Sequence, residues 1–195
     1  MILWTIQPEE VFNEIQNNGV YRCDIHKSGM EDYFSDLQYA WLVLQMKKRI
    51  GSPPEGVTYP VWAWYKWRGN RKKPDLRAER WQCGQKGDKF YRLEIEIPDR
   101  EVLLSDFDEW ICVLNEGLLA DTEEEWNELH RIYDALSTEA KKEMRDKNWE
   151  KVFNLEPVHN EWMIRGECIQ ATFWELRKEQ IRKVKMFISS YVHRL

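Results

Sequence analysis

Apolar and polar positions along the chain switch between two periods, and each switch marks a predicted element. Leu3 to Ile6 reads as a short strand. Pro8, followed by Glu9 and Glu10, then opens a helix with Val11, Phe12 and Ile15 on its apolar face. Proline suits a first turn, and carboxylates favour the positive end of the helix dipole. Gly19 is its predicted stop, and Val20 to Cys23 a second short strand. From Asp32 to Ile50 the positions Phe34, Leu37, Trp41 and Leu44 recur at helical spacing, and Lys47, Lys48 and Arg49 close the last turn favourably. Gly51 to Gly56 breaks this helix and predicts a loop.

Tyr59 to Trp67 alternates as a strand does, with Val61, Ala63, Tyr65 and Trp67 on one side and Trp62, Trp64 and Lys66 on the other. Both sides are apolar or aromatic over most of the length, which predicts a central strand. Arg68 to Lys73 reads as a polar turn. Phe90 to Ile97 predicts the next strand, with Leu93, Ile95 and Ile97 opposite Glu94 and Glu96. Val102 to Leu104 is a short strand candidate, after which Ser105 is placed to cap a helix carrying Trp110, Val113 and Leu114.

Thr122 and Glu125 form a capping box before Trp126, Leu129, Tyr133 and Leu136, and Ser137 starts a further helix reaching about Phe153. Ile169 to Trp174 reads as a final strand leading into a helix with Ile181, Val184 and Ile188 on one face. Strands and helices are thus intermixed with antiparallel-looking pairs. This predicts one α+β domain over residues 1–195, with a mixed or mainly antiparallel sheet and several flanking helices, rather than regular βαβ winding.

Composition changes the picture in three ways. Eleven tryptophans in 195 residues call for a core built of large aromatics. Cys23, Cys83, Cys112 and Cys168 lie far apart, without a CxxC pair or a nearby histidine at ligand spacing, and read as free thiols of a reducing compartment. No apolar run approaches the ~18 residues of a membrane span, and the start MILWTIQPEE lacks the regions of a signal peptide. The expectation is a cytoplasmic protein without a membrane partner. Its net charge of −5 is unevenly spread: residues 62–80 hold seven Lys/Arg against two acids, and residues 94–128 hold thirteen acids against Arg100 alone. The overall balance argues against general nucleic-acid binding and leaves room for a local basic patch.

That patch is WAWYKWRGNRKKPDLRAERW, where aromatic faces for stacking neighbour Lys66, Arg68, Arg71, Lys72 and Lys73 as phosphate-contact candidates. It reads equally as core aromatics beside a solvated turn. Asp106, Asp108 and Glu109 could hold a metal or a ribose hydroxyl, or serve as the acidic start of a helix. In IQATFWELRKEQ, Gln170 and Thr172 alternate along the strand and Glu175 stands at its edge, to grip a ribose or to start the next element. The four histidines match no triad motif, and Walker and GxGxxG loops are absent. No metal is predicted.

LWTIQPEEVF, YPVWAWYKW, RKKPDLR, EVLLSDFDEW and IQATFWEL together resemble the bacterial family called domain of unknown function 3841, over nearly the whole chain. That resemblance implies a cytoplasmic protein and carries no assigned active site. At the level of fold, the opening strand, the helix Pro8 to Asn17, and Gly19 with the strand after it are similar to the start of small ADP-ribosyltransferase domains, which cleave NAD and pass ADP-ribose to an acceptor. Those enzymes use a first-strand Arg or His, a central aromatic or Ser, and a late Glu. Here Thr5 departs from the first, while Tyr65 and Glu175 could match the others, and Arg22 could supply a phosphate contact. The resemblance implies NAD as substrate, Glu175 on the nicotinamide ribose and Tyr65 stacked on the ring. Two classes of partner stay open: a nucleotide-type small molecule, or RNA or a protein bound through residues 62–80 without catalysis.

Overall fold

In the computed structural model, which describes residues 1–24, 36–76 and 83–190, six strands form one sheet. Their order is β10 (Ile181–Ile188), β4 (Lys89–Glu96), β1 (Ile2–Pro8), β3 (Val61–Lys66), β8 (Ile169–Phe173) and β5 (Leu103–Asp106). All neighbours run antiparallel. With five α-helices among the described residues beside the sheet, the architecture is the α+β one expected from the pattern. Two short ribbons complete it: β2 (Val20–Tyr21) with β9 (Leu176–Arg177), and β6 (Val158–His159) with β7 (Ile164–Arg165). Among the described residues, no helix is long and apolar enough to cross a membrane.

The central position of β3 follows from having no polar side to offer solvent. Val61 and Ala63 join Leu3, Leu93, Ile95, Ala171 and Phe173 in one buried cluster, closed by Ile15 of helix α1 (Glu9–Asn18). Trp62 packs against the other cluster, where it meets Tyr39 and Trp110; that cluster is built from helices α2 (Asp36–Ile50) and α3 (Phe107–Leu114) and the 3₁₀ turn Trp149–Phe153. The residues Asp32 to Ser35 expected to begin α2 lie outside the described residues, as do Arg77 to Arg80 of the basic segment. Among the described residues, five tryptophans are buried. Their indole N–H groups are served locally where the backbone allows: Trp41 donates to the Asp146 carbonyl, Trp149 to Gly117 and Trp174 to Gly51, at 2.8–3.0 Å.

Three local expectations need correction. Ser105 does not cap α3, which begins at Phe107 and puts Asp106 at the N-cap position, where it accepts from the N–H groups of Asp108 and Glu109 at 3.0 and 3.1 Å. A bulge after Trp64 breaks the alternation of β3, so that Trp67 packs against Trp64 with ring centroids 4.4 Å apart instead of facing away from it. The last element, read as a helix with Ile181, Val184 and Ile188 on one face, is the strand β10. Its segment also has period two, and the free edge of β4 supplies the backbone partners that decide for a strand. Helices α4 (Glu123–Asp134) and α5 (Thr138–Asn148) form as expected, capped by Thr122 and Ser137.

The basic turn is tight: Trp67 and Asn70 exchange backbone hydrogen bonds around Arg68 and Gly69, which both have positive φ, at 47° and 72°. This is the twist a two-residue hairpin requires. Gly166, also at positive φ, ties this region to β5. Its N–H donates to Asp106 Oδ2 at 2.7 Å, and its carbonyl accepts from Lys66 Nζ at 2.6 Å.

Candidate functional site

β1 and β3 share a single registered pair, Trp4 with Trp64. Beyond it toward Pro8 the two strands form no further pair, and a groove of about 650 Å³ lies between them. The opening is bridged by side chains: Thr5 Oγ1 donates to the Trp62 carbonyl at 2.8 Å and accepts from Gln7 Nε2 at 2.7 Å. Its walls include Thr5 and Gln7 of β1, Trp62 and Trp64 of β3, Glu14 of α1 and Gln170 of β8. Gln170 Oε1 is buried there with no hydrogen-bond partner. A buried amide oxygen in that condition costs ~1–3 kcal/mol relative to a satisfied one.

Cys23 lines the same groove. Burial raises its thiol pKa, and nearby Asp24 adds to this against the hydrogen bond to Tyr21, which favours the protonated thiol. Cys23, Cys112 and Cys168 are free thiols.

The groove brings together Thr5 and Gln170, two of the residues singled out in the sequence. It does not include Glu175 or Arg22. Glu175 follows β8 and lines a smaller pocket with Trp174 and Arg177. Its two oxygens accept from Arg22 Nε at 3.0 Å and Arg177 Nε at 2.8 Å. Burial works to raise its pKa, but these two hydrogen bonds outweigh it and hold the carboxyl below its usual range. The carboxylate therefore locks the β2–β9 ribbon, Arg22 lying just beyond β2 and Arg177 within β9.

Tyr65 sits at the bulge of β3 against the cluster that holds Leu3 and Leu93. Arg71 stacks on it with the guanidinium 3.7 Å from the ring centre and donates to the Tyr65 and Ile2 carbonyls. Lys66 is spent on Gly166, and Arg68 lies over Trp67 at 5.5 Å. Thus Lys66 and Arg71 pin backbone, while Arg68, Lys72 and Lys73 are exposed. Thr172, two residues beyond Gln170 on β8, donates to the Leu103 carbonyl at 3.3 Å and belongs to the sheet.

The acidic group at the start of α3 divides by role. Asp106 is wholly buried and structural, through the cap and Gly166. Glu109 accepts from Arg165 Nη1 at 3.0 Å, with both side chains nearly fully buried. Asp121 takes the same guanidinium at 2.9 and 3.3 Å. Arg165 carried no sequence signal, since neither MIRGEC nor its spacing to Glu109 announces a pair across 56 residues. Among the described residues, no group of histidine, cysteine and acidic side chains is arranged to hold a metal.

The chain matches no curated protein and no solved structure. The family described as Domain of unknown function (DUF3841) matches residues 2–182, nearly the whole chain and the full sheet up to the start of β10. The chain belongs to that family, DUF3841.

Proposed function

We propose that the groove between β1 and β3 binds a nucleotide-type small molecule by its ring, with the nicotinamide of NAD as the first candidate. The observation that carries this reading is Gln170 Oε1, a buried acceptor without a partner beside the partly exposed indoles of Trp62 and Trp64. A ring bearing an amide or amino N–H would supply the missing hydrogen bond while its flat face lies on an indole. Glu10 and Glu14 in the walls suit the positive charge of a pyridinium and disfavour phosphate, which supports the ring over the pyrophosphate as the group bound there. Thr5 would act through shape: its hydroxyl is committed to Trp62 and Gln7 and sets the width of the opening.

Transfer of ADP-ribose from NAD, the activity that the fold-level resemblance implies, asks more. Glu175 would have to exchange Arg22 and Arg177 for a ribose hydroxyl, and Tyr65 would have to give up Arg71. Binding and transfer are therefore tested separately.

Calorimetric titration of the purified protein with NAD, nicotinamide and AMP tests binding. NAD and nicotinamide are expected to bind saturably, and Gln170→Leu to weaken both by about fivefold to tenfold, the worth of one hydrogen bond. Saturation by none of the three, or an unchanged affinity in Gln170→Leu, sinks the proposal. Release of nicotinamide from NAD, compared between wild type and Glu175→Gln, tests transfer.

A further inference from the structure

We infer that a second groove, walled by α3, α4 and the β6–β7 hairpin, binds a primary alkylammonium compound through Glu109, Trp126 and Trp162. The groove holds about 650 Å³ and is separate from the one between β1 and β3. Asp108, Glu109 and Glu161 line it together with Leu118, Trp126 and Trp162, and no lysine, arginine or histidine does so among the described residues. A cleft with one sign of charge and apolar walls concentrates ions of the other sign.

Acids on a surface are common, so the weight rests on two further features. The first is Glu109 itself. Its side chain is only 5% exposed, and while Oε1 accepts from Arg165, Oε2 is buried with no partner. Arg165 turns its other nitrogens toward Asp121 and the Glu156 carbonyl, and none of its hydrogen bonds reaches Oε2. A carboxylate oxygen in such a place calls for an N–H donor, and a charged one makes the stronger bond. The second feature is the aromatic pair. Trp126 and Trp162 lie 6.1 Å apart at 53° and remain 38% and 42% exposed. They are nonetheless held in place, Trp162 by a hydrogen bond to the Ala120 carbonyl and Trp126 by the His130 ring, tilted at 33° with centroids 3.9 Å apart. Fixed, open indole faces beside carboxylates attract organic cations through the ring quadrupole and cover their apolar carbons. An ammonium with N–H groups on one side and an alkyl chain on the other satisfies both features. Phosphates and carboxylic acids satisfy neither.

The charge on Glu109 should report the binding. Burial raises its carboxyl to about 7, against the pull of Arg165, and Asp106 and Asp121 add to the rise. The groups facing it are Arg165 of β7, Asp121 from the loop before α4, Asp106 at the end of β5, and Cys112 on α3. A bound ammonium prefers the ionised form, so affinity rises as pH passes upward through about 7.

The test is a titration of the whole chain with butylammonium chloride, tetramethylammonium chloride and butanol, followed by ligand-observed NMR. Butylammonium is expected to bind saturably, at least about tenfold more tightly than butanol, and Glu109→Gln to remove about tenfold of its affinity along with the pH dependence. Trp162→Ala, at the solvent edge, is expected to weaken it by a few-fold, and it carries the test should Glu109→Gln fail to fold. Binding of butanol as tight as butylammonium overturns the inference, as does an affinity unchanged in both variants. Tetramethylammonium binding equal to butylammonium would overturn the role of Oε2 as acceptor.

Discussion

Glu109 and Arg165 meet at 3.0 Å in the interior, yet Asp121 draws on the same guanidinium nitrogen at 2.9 Å. The competition is unequal. Lys151 also reaches Asp121, at 3.1 Å, and although burial opposes ionisation there, Arg165 and Lys151 together hold Asp121 below its usual range. Glu109 has only a share of Arg165 and is left the more basic of the two acids.

Removing the shared cation should be costly. Arg165→Met strands one buried acid and weakens another, and is expected to lower stability by about 3–5 kcal/mol in urea unfolding. Arg165→Met combined with Glu109→Leu removes the stranded charge and should lose clearly less. Equal losses in the single and double variants would show that the pair is not coupled.

The same triad gives a pH dependence of definite sign. A carboxyl raised from 4.5 to about 7 on folding binds its proton more tightly in the folded state. Stability from this group is therefore greatest below the unfolded value and falls as pH rises from about 4.5 to about 7. Thermal melts across this window should show wild type losing ground to Glu109→Gln. A constant difference between the two would contradict the raised value.

Glu175 should behave in the opposite way. Its folded carboxyl is held low by Arg22 and Arg177 against the effect of burial, so its contribution is present above the ordinary carboxylate range and lost as pH falls through the lowered value. Both arginines are partly exposed, and Glu175→Gln is expected to cost only about 1 kcal/mol at neutral pH after solvent screening. Since Glu175 lies outside the β1–β3 groove, nicotinamide affinity should be unchanged in this variant, and a large loss of affinity would place the ring elsewhere.

Asp106 joins three backbone N–H groups from two segments, those of Asp108, Glu109 and Gly166. Asp106→Ala is expected to lower stability by about 3 kcal/mol, combining a lost helix cap with a buried N–H left alone at Gly166. Hydrogen exchange should show added loss of protection at Gly166 and in the first turn of α3. A loss confined to α3 would mean that the Gly166 bond adds nothing.

Much of the fold was legible where a local rule is strong. Pro8, Glu9 and Gly19 bracket α1, and Leu93, Ile95 and Ile97 set the buried face of β4. Thr122 and Ser137 cap their helices because a short polar side chain reaches an N–H three residues on. At Ser105 the same rule pointed one residue early, since β5 runs on through Asp106 and α3 begins only at Phe107, which leaves the cap to Asp106. The candidate site was legible only in pieces. Thr5 and Gln170 stood out in the pattern, but nothing local says that Glu175 is held away from them by Arg22 and Arg177.

The run of α and β elements, most of their caps, and a core crowded with indoles follow from the order of residues alone, because periodicity and capping act over a few positions. The remainder came from packing. Ile181 to Ile188 is compatible with both periods, and the open edge of β4 made it a strand by supplying hydrogen bonds that no local pattern encodes. The groove exists because β1 and β3 stop pairing after Trp4 and Trp64, and Glu109 found Arg165 because the β6–β7 hairpin folds back over α3. Contacts across such separations depend on where whole elements pack, and charges or amides buried there acquire properties their neighbours in sequence cannot predict.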